Sequence, residues 1–521
     1  MIENENSWPK AVENNTEEEF HRQFDNAIDE FKKDLGKKYP NIIAGKVVNS
    51  EDTFSVKSST DSSLVLANFP NATEEEVTTA LESARQIFPQ WSNIPYQEKI
   101  KIFRECADFF STNKFKLAAI LSFENGKNRL ESMGEIDETI DFLRFYAEQL
   151  EENKGFEIST KNVSPNEKTK SVLKPYGVWG VIAPFNFPSA IPIGMSVGAL
   201  ITGNTVVLKP ASGAPLSSFK FVEAIYKKLP MGAINFVTGS GSKVGKMIIE
   251  SDILDGLAFT GSLEVGLGAF KKINEEIPKP MISEMGGKNP AIVTVSADLD
   301  KATEGVLRAA FGYSGQKCSA CSRVYVHKNI VTDFVDKLVQ KTKSLKIGIP
   351  WEKEVFMGPV INEDAKKKFE WATELAKKDG NVVQGGHILT DSLYEKGHFV
   401  EPTIVTNLPE NHELVKKELF LPFLCVQEYE NFDDAIKMAN DVEFGLTAGI
   451  FSEDKEQIKK FLNSIQAGVI YVNRAASATT AASPQSQPFV GWKGSGISGK
   501  GAGGTYYLQQ FMREQTQTIC E

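Results

Sequence analysis

Short apolar runs alternate with helix-length segments from Gly177 onward, and this alternation limits the possible folds more than any other feature of the sequence. The runs GVWGVIAP, NTVVLKP, INFVTG and GLAFTG are typical of short buried strands. A second alternating stretch runs from AIVTVS (Ala291 to Ser296) through AGIFSEDKEQIKKFLNSI. Strands and helices in strict alternation form parallel sheets covered by helices. The sequence therefore predicts two α/β units.

The chain before Gly177 has a different pattern. Residues from Phe20 to Tyr39 and from Asn71 to Leu150 show helical periodicity, with a good helix start at Thr73. Two polar, β-leaning segments then flank a turn at Ser164-Pro165-Asn166. We expect a hairpin that projects from the body, and such an arm is able to pair with another subunit.

Composition favours a globular protein that acts on small molecules. The 521 residues are enough for two or three domains, and the net charge of −10 argues against a nucleic-acid or anionic-membrane surface. Five scattered cysteines, an odd number, do not suggest a disulfide framework. The acidic first residues lack an apolar segment, and the stretch Ile191 to Ile201 is shorter than the roughly 20 residues of a membrane span. We expect a cytoplasmic protein.

The stretch FGYSGQKCSACSRVYV contains two cysteines, Cys318 and Cys321, whose role needs to be decided. A zinc site needs two further ligands, but there is no second cysteine pair and no paired histidine spacing, so no metal is expected. The Gly-rich residues before Cys318 fit a thioredoxin-like redox pair poorly. Two interpretations stay open, namely one nucleophilic cysteine or two small buried apolar side chains.

A carboxylate and an amide in constrained places favour the nucleophile. Glu284 precedes a Gly-Gly pair in ISEMGGKNP, and Asn186 stands between two aromatic residues in APFNFP, after a predicted strand. A thiolate, an amide donor and a carboxylate base are the groups needed to attack a carbonyl, hold the oxyanion and activate water.

Two glycine-rich turns follow successive predicted strands and indicate a nucleotide site. One gives Gly239-x-Gly241-x-x-x-Gly245, which is one residue off the dinucleotide fingerprint, and the other, FTGSLEVG, contains Thr260, Gly261 and Ser262. Backbone amides at a helix start bind phosphate. Lys209 ends the strand NTVVLKP, at the edge where open α/β sheets bind ligands, although a solvated lysine is the simpler interpretation of that residue alone.

The chain resembles the NAD(P)-dependent aldehyde dehydrogenases from about Leu35 to Glu521. The segments APFNFP, VVLKPAS, FTGS, ISEMGGKNP, GQKCS, ELFLPF and GLTAGIFS occur in the order and spacing of that family. The resemblance implies a Rossmann-type cofactor domain (36–155 and 177–285), an α/β catalytic domain (286–474) and a β oligomerisation arm (156–176 and 475–521). It also implies a homo-oligomer.

The same resemblance implies catalytic roles. Cys318 is expected to form a thiohemiacetal with the aldehyde, Asn186 and the Cys318 amide to hold the oxyanion, and Glu284 to activate water against the thioester. A retained base argues against coenzyme A-dependent acyl transfer. Cys321 matches no catalytic role.

For the cofactor, the resemblance implies that Lys209 and Glu418 hold ribose hydroxyls, Ser262 a phosphate and Phe420 the nicotinamide face. Ser212 stands where the family often has an acidic residue, so NADP is possible beside NAD. A second departure is Leu421, which replaces a glycine and predicts a different local turn.

Within the family, the chain is most similar to the branch that oxidises L-glutamate γ-semialdehyde in proline degradation, on the segments LGKKYPNIIAGK, GQKCSACSR and YYLQQFMREQTQT. The likeness implies the following substrate residues: Ser319, Ala481 and Ala482 at the carboxylate, Phe187 and Phe489 along the chain, and Glu138 at the amine. A solvated helix face is the alternative for Glu138. Two other functions stay open, a dehydrogenase for another short acidic aldehyde such as succinate semialdehyde and a non-catalytic protein on the same fold.

Overall fold

The computed structural model of the chain describes residues 2–475 and 483–520. Its α-helices are α1 (Ser7–Glu13), α2 (Glu17–Phe31), α3 (Glu74–Ser92), α4 (Tyr96–Thr112), α5 (Lys114–Asn125), α6 (Arg129–Glu152), α7 (Ala190–Ile201), α8 (Pro215–Ile225), α9 (Lys246–Ile249), α10 (Leu263–Ile273), α11 (Leu299–Phe311), α12 (Val331–Lys343), α13 (Glu363–Asp379), α14 (Glu413–Lys416), α15 (Phe432–Asn440) and α16 (Lys455–Ser464).

The strands are β1 (Lys37–Lys38), β2 (Asn41–Ile43), β3 (Lys46–Val48), β4 (Thr53–Lys57), β5 (Val65–Pro70), β6 (Glu157–Ser159), β7 (Glu167–Pro175), β8 (Val178–Ile182), β9 (Thr205–Lys209), β10 (Ile234–Phe236), β11 (Gly256–Thr260), β12 (Met281–Glu284), β13 (Asn289–Val293), β14 (Cys321–His327), β15 (Asn381–Gln384), β16 (Thr403–Thr406), β17 (Phe423–Tyr429), β18 (Phe444–Gly445), β19 (Thr447–Phe451), β20 (Val469–Val472), β21 (Trp492–Lys493) and β22 (Met512–Cys520).

The first large sheet has the strand order β12-β11-β8-β9-β10-β2-β3. All pairs from β12 to β10 are parallel, and β2 and β3 add an antiparallel hairpin at the edge. Successive residues point to opposite faces and enter different cores, since Trp179 and Val206 pack in one apolar cluster and Val178 and Val207 in another. Both faces are covered by helices, as expected for a parallel sheet.

The second large sheet has the order β15-β16-β17-β14-β13-β19-β20, with only β15 antiparallel to its neighbour. It is also covered on both faces, because Ala291 and Val293 pack in one cluster while Ile292, between them, packs in the other. These two sheets confirm the predicted α/β fold with two parallel-sheet units.

A third, antiparallel sheet has the order β22-β7-β6. Strands β7 and β22 pair along the whole of Met512–Cys520, and β6 returns against β7 to form the predicted hairpin. The amide of Glu167 donates to the carbonyl of Ser164 at 3.2 Å, which closes the turn at the expected place. The remaining small sheets are β1-β5-β4 and β18-β21.

The amino-terminal helix is shorter than the sequence pattern predicts. Helix α2 ends at Phe31, a single 3₁₀ turn follows at Lys32–Asp34, and Lys37–Lys38 then forms β1 beside β5. The prediction of helix up to Tyr39 is therefore wrong for its last residues, because Gly36 at φ +75° turns the chain into a strand pairing. The helix start at Thr73 is confirmed, with a complete capping box to Glu76.

The chain crosses from one large sheet to the other beside the proposed catalytic residues. Strands β9 and β12 end at Lys209 and Glu284, on the carboxyl edge of the first sheet. Strands β13 and β14 begin at Asn289 and Cys321, on the amino edge of the second. Residues 285–288 join β12 to β13, so these two edges lie next to each other. Within the described residues, no helix is both long and apolar enough to cross a bilayer.

Candidate active site

Cys318 lies on the loop between α11 and β14, after a sharp turn. Tyr313, Ser314 and Gly315 all adopt positive φ angles of 51°, 55° and 67°. At Gly315 a side chain would meet the Leu421 carbonyl oxygen, which lies 2.2 Å from an ideal Cβ. This left-handed turn directs the following residues, Gln316 to Cys318, towards the edge of the first sheet.

The Cys318 thiol is largely buried, and its surroundings hold it in the neutral form. Burial raises its pKa well above the usual value, the nearby carboxyls of Glu418 and Glu284 raise it further, and the backbone amides of Ser319 and Cys318 lower it. The structure therefore brings a thiol, two carboxyls and two amide donors together. A reaction at Cys318 needs a base or a positive charge to form the thiolate.

Cys321 has a different environment. It is the first residue of β14, is 1% exposed, and its Sγ donates to the carbonyl of Arg323 at 3.4 Å. Burial raises the pKa of this thiol to about 12. Among the described residues, no group of three or more His, Cys, Asp or Glu could hold a metal ion. Cys321 packs as a core residue beside the candidate nucleophile.

Asn186 lies on the loop after β8 and reaches across to the cysteine loop. The side chain is buried, and its Nδ2 donates to the carbonyl of Gln316 at 3.1 Å. The Asn186 carbonyl accepts from Nδ2 of Asn125 at 3.5 Å. One hydrogen of the amide is thus used for positioning, and the other is available to an oxygen of a bound molecule.

Glu284 ends β12, with its carboxyl in a buried place. Burial raises its pKa well above the usual value, and the Gly491 amide offsets this in part. Oε2 has no hydrogen-bond partner among the described residues. A buried carboxyl with a free oxygen is a good candidate for a proton acceptor, because a water molecule is able to bind to it.

Glu418 packs against the loop that joins the two large sheets. Its Oε1 accepts from the amide of Gly287 at 2.8 Å, and its Oε2 lies 2.3 Å from where a Cβ of Gly286 would stand. Only glycine leaves room for this approach. Burial raises the pKa of Glu418 to about 7.

Phe420 follows Glu418 by two residues and adopts a positive φ of 62°. Its ring meets that of Phe185 edge-on, with centroids 5.8 Å apart. Leu421 is buried at 4% exposure and has no positive φ, so the chain turns at Phe420 and packs Leu421 into the core. The local turn therefore has an ordinary conformation at Leu421, where the sequence lacks a glycine.

Lys209 is buried, and the interpretation as a solvated lysine is wrong. Nζ donates to the Pro210 carbonyl at 2.8 Å, and burial lowers the pKa of Lys209 to about 8. Ser212 donates to the Gly239 carbonyl at 2.8 Å, which ties the end of β9 to the next glycine-rich turn. An ideal Cβ at Gly245 would lie 3.7 Å from Cδ of Lys209, so the second turn packs close to the lysine side chain.

The two glycine-rich turns follow β10 and β11. Gly241–Gly245 form a π-helical turn before α9, and no atom lies within 4 Å of an ideal Cβ at Gly241. Ser262 caps α10 by accepting from the Val265 amide, while Thr260 ends β11 and Gly261 follows it. These features fit a dinucleotide. The open space at Gly241 leaves room for it, Lys209 has donors for its phosphates and hydroxyls, and Glu418 has an oxygen that accepts from a ribose hydroxyl.

Glu138 does not lie on a solvated helix face, so that alternative is wrong. It is partly buried on α6, between the buried residues Asp137 and Thr139. Burial raises the pKa of Glu138 to about 8, Glu135 raises it further and Lys127 lowers it. Among the described residues, no hydrogen bond or ion pair involves the Glu138 carboxyl.

The structure describes three of the other predicted substrate residues, Phe187, Ser319 and Phe489. The Phe187 ring meets Tyr313 edge-on at 6.5 Å, and Ser319 is buried beside Cys318. Phe489 exchanges two backbone hydrogen bonds with Ala502, at 2.9 and 3.0 Å. Ala481 and Ala482 lie outside the described residues.

Sequence reasoning missed a set of buried charges next to these residues. Lys127 pairs with Glu135 at 2.5 Å, and Lys317 pairs with Glu131 at 2.6 Å. A signal was present, because Glu131, Glu135 and Glu138 recur at four and three residues and therefore share one face of a helix. Charge on a face that is otherwise apolar would have pointed to a buried network.

Comparison with known proteins places this site in a family. Residues 47–517 match the aldehyde dehydrogenase family. The chain is 36% identical to 1-pyrroline-5-carboxylate dehydrogenase 1 of Halalkalibacterium halodurans over 97% of both chains. It superposes on 1-pyrroline-5-carboxylate dehydrogenase from Thermus with bound NAD at a TM-score of 0.93 and 30% identity, over 100% of this chain and 99% of that one. It also superposes on proline utilization A from Bdellovibrio bacteriovorus at a TM-score of 0.93 and 34% identity, spanning all of this chain and 53% of that chain. The chain belongs to the aldehyde dehydrogenase family.

Proposed function

We propose that this protein oxidises L-glutamate γ-semialdehyde, the open form of 1-pyrroline-5-carboxylate, to L-glutamate with NAD, as a step of proline degradation. Relatives that carry the name 1-pyrroline-5-carboxylate dehydrogenase cover nearly the whole chain, and one of them is known with bound NAD. The observation that carries the proposal is the meeting of a buried thiol, Cys318, with the Asn186 amide and the Glu284 carboxyl.

The first step is attack of the Cys318 sulfur on the aldehyde carbon. The thiol releases its proton to solvent water, a C–S bond forms, and the carbonyl oxygen becomes an oxyanion. The free hydrogen of the Asn186 amide and the backbone amide of Cys318 donate to this oxygen. Amide donors that are fixed before the reaction stabilise the developing charge without reorganisation.

NAD, when bound, would supply the acceptor for the hydride that the substrate carbon loses. Lys209 and Glu418 are the residues that would hold its ribose hydroxyls, Ser262 a phosphate and Phe420 the nicotinamide ring. Ser212, Gly241, Gly245, Thr260 and Gly261 line the approach. Loss of the hydride leaves a thioester on Cys318.

Glu284 completes the reaction by accepting a proton from water. The hydroxide attacks the thioester carbon, the C–S bond breaks, and the acid product leaves while the thiol is restored. The raised pKa of Glu284 suits this role, because a stronger base takes the proton more readily. Its free Oε2 is the atom that accepts the proton.

The charged ends of the substrate account for the choice of aldehyde. Glu138 has no ion-pair partner of its own in the described structure and accepts the substrate ammonium, which lowers its raised pKa on binding. Ser319 donates to the substrate carboxylate, while Ala481 and Ala482, the other residues proposed for that end, lie outside the described residues. Phe187 and Phe489 enclose the aliphatic chain between these ends.

We also propose the division into a cofactor domain (36–155 and 177–285), a catalytic domain (286–474) and an arm (156–176 and 475–521). The strands of the three sheets fall within these ranges. Cytoplasmic location is part of the proposal, because all five cysteines are free thiols.

The arm is proposed to bind a second copy of the chain. Its sheet leaves one edge of β22 unpaired within the described structure and exposes apolar side chains at Ile158, Val163 and Ile519, which are 64%, 92% and 57% exposed. An exposed strand edge with apolar side chains is a template for pairing.

Replacing Glu284 by Gln is expected to raise the thermal stability of the protein at pH 8. The folded state raises the pKa of this carboxyl, so wild-type stability falls as the pH rises above the unfolded value of 4.5, and Gln has no such charge to bury. Scanning calorimetry should show a Tm higher by about 2 °C or more at pH 8, with the gap closing towards pH 5. Glu82→Gln, at an exposed position of α3, is the control and should show no gap. Equal Tm values for wild type and Glu284→Gln at pH 8 would contradict the buried carboxylate.

Initial rates on three aldehydes test the substrate. The value of kcat/KM should be at least about tenfold higher for glutamate semialdehyde than for pentanal, because two charge-assisted contacts are lost. Succinate semialdehyde, which lacks the amine, should fall between them. Glu138→Gln should bring glutamate semialdehyde close to succinate semialdehyde, and Ser319→Ala should weaken both acids. The highest kcat/KM with succinate semialdehyde or pentanal would show that the substrate assignment is wrong.

Light scattering on the purified protein tests the arm. The wild type should have a molar mass that is a multiple of 57.5 kDa. Ile158→Asp with Ile519→Asp should shift it to a smaller species, because two carboxylates would be buried at the contact. Val47→Asp, at an exposed position of β3, serves as the control. A wild-type monomer at micromolar concentration would refute the proposed role of the arm.

A further inference from the structure

The short connection between α5 and α6 inserts into the middle of the active site. Gly126 has a φ of +79° and packs against Pro359, and Asn128 donates to the carbonyl of Phe356 at 2.8 Å. Asn125, just before, donates to the carbonyl of Asn186. The connection thus touches both the first-sheet loop that carries Asn186 and the segment between α12 and α13.

Lys127, at the centre of this connection, is fully buried. Its Nζ lies 3.3 Å from the ring centroid of Phe187 and 4.8 Å from that of Tyr313. Phe187 is the residue after Asn186, and Tyr313 lies on the turn that leads to Cys318. One ammonium group therefore contacts the aromatic rings of both catalytic loops. A desolvated cation over an aromatic face is strongly attracted to it.

An ion pair fixes the ammonium in this position. Nζ of Lys127 donates to Oε2 of Glu135 at 2.5 Å. The other oxygen of Glu135 accepts from the backbone amides of Ser189 and Ala190, at 2.8 and 3.2 Å. These amides belong to the start of α7, immediately after Phe187. The pair thus links α6 to the backbone of the Asn186 loop as well as to the Phe187 ring.

Two ion pairs lie at and beside Lys127, while the nearby carboxyls of Glu138 and Glu124 belong to neither pair. Glu135 neutralises Lys127, and Lys317 pairs with Glu131. The removal of Lys127 and Glu135 together takes away one positive and one negative charge and therefore leaves the net charge beside Glu138 unchanged. This property allows the positioning effect of Lys127 to be separated from an electrostatic effect on the substrate.

We propose that Lys127 is a positioning residue for aldehyde oxidation, which fixes the Phe187 wall of the aldehyde site against the Tyr313 turn and so sets the spacing of the Asn186 and Cys318 loops. It contacts neither substrate nor cofactor in this role. The proposal uses the site of the proposed function, but it holds for any aldehyde that packs against Phe187. A buried ion pair with a purely structural role is the competing explanation.

The test compares Lys127→Met/Glu135→Gln with the wild type on propanal and on glutamate semialdehyde. The double variant keeps the volume of both side chains and creates no new unpaired buried charge. With enzyme concentration set by active-site titration, KM should rise about tenfold for both aldehydes, while the Kd for NAD stays the same. Lys127→Arg, which keeps the cation, should restore most of the wild-type KM.

Lys99→Met is the matched control. Lys99 is another buried lysine, on α4, whose ammonium donates to the carbonyls of Ser92 and Ile94 away from the site. Its loss should lower the Tm and leave both KM values unchanged. If the double variant behaves like this control, with a lower Tm and unchanged KM, Lys127 is structural and the proposal is wrong.

If the double variant does not fold, Glu135→Gln alone keeps Lys127 and an oxygen for the Ser189 and Ala190 amides but weakens the ion pair. It should raise KM for propanal about threefold, and no rise would overturn the proposal.

The propanal measurement also separates this proposal from the proposed function. If glutamate semialdehyde is not the preferred substrate of the wild type, the KM for propanal still reports whether Lys127 positions Phe187. The failure of one proposal is therefore distinguishable from the failure of the other.

Discussion

One buried side chain, Asn289, holds the loop of the candidate nucleophile in place. Its Nδ2 donates to the carbonyls of Cys318 and Ala320 at 2.7 and 2.9 Å, and its Oδ1 accepts from the Thr447 amide at 2.9 Å. Because Asn289 begins β13, these bonds tie the loop to the register of the second sheet. An apolar residue there would leave two buried carbonyls and one amide without partners. The position of the Cys318 sulfur therefore depends on the fold of the whole unit.

The same packing places ionisable groups where their charged forms are unfavourable. Burial raises the pKa values of Cys318, Glu284 and Glu418 and lowers that of Lys209. Each of these pKa shifts shows that burial destabilises the charged form of the group in the free protein. A ligand that brings the complementary charge or hydrogen bonds stabilises that charged form. Ligand binding to this site is therefore favoured in part because it offsets the desolvation cost of the buried ionisable groups.

The sequence predicted the fold class, which the two parallel sheets confirm. Asn186, Glu284 and Cys318 were proposed from their residue types at loops and strand ends and from the family resemblance, and their catalytic roles stay a prediction. The sequence did not allow the environment of Glu138 to be predicted, because helical spacing does not reveal how much of α6 is buried. Lys127 was missed for a related reason. Its contacts join Phe187 and Tyr313, whose proximity follows only from the docking of the two sheets. The end of α2 was wrong because pairing with β5 overrides a helical pattern.

Trapping the covalent intermediate would show which cysteine attacks the aldehyde. Glu284→Gln should form the thioester and fail to hydrolyse it, so acid quenching after addition of glutamate semialdehyde and NAD should preserve the adduct. Trypsin cleaves after Lys317 and Arg323 and releases both cysteines in one peptide, CSACSR. Tandem mass spectrometry should locate a glutamyl group on Cys318 and none on Cys321. An adduct on Cys321, or reduced cofactor formed without any adduct in this peptide, would contradict the account.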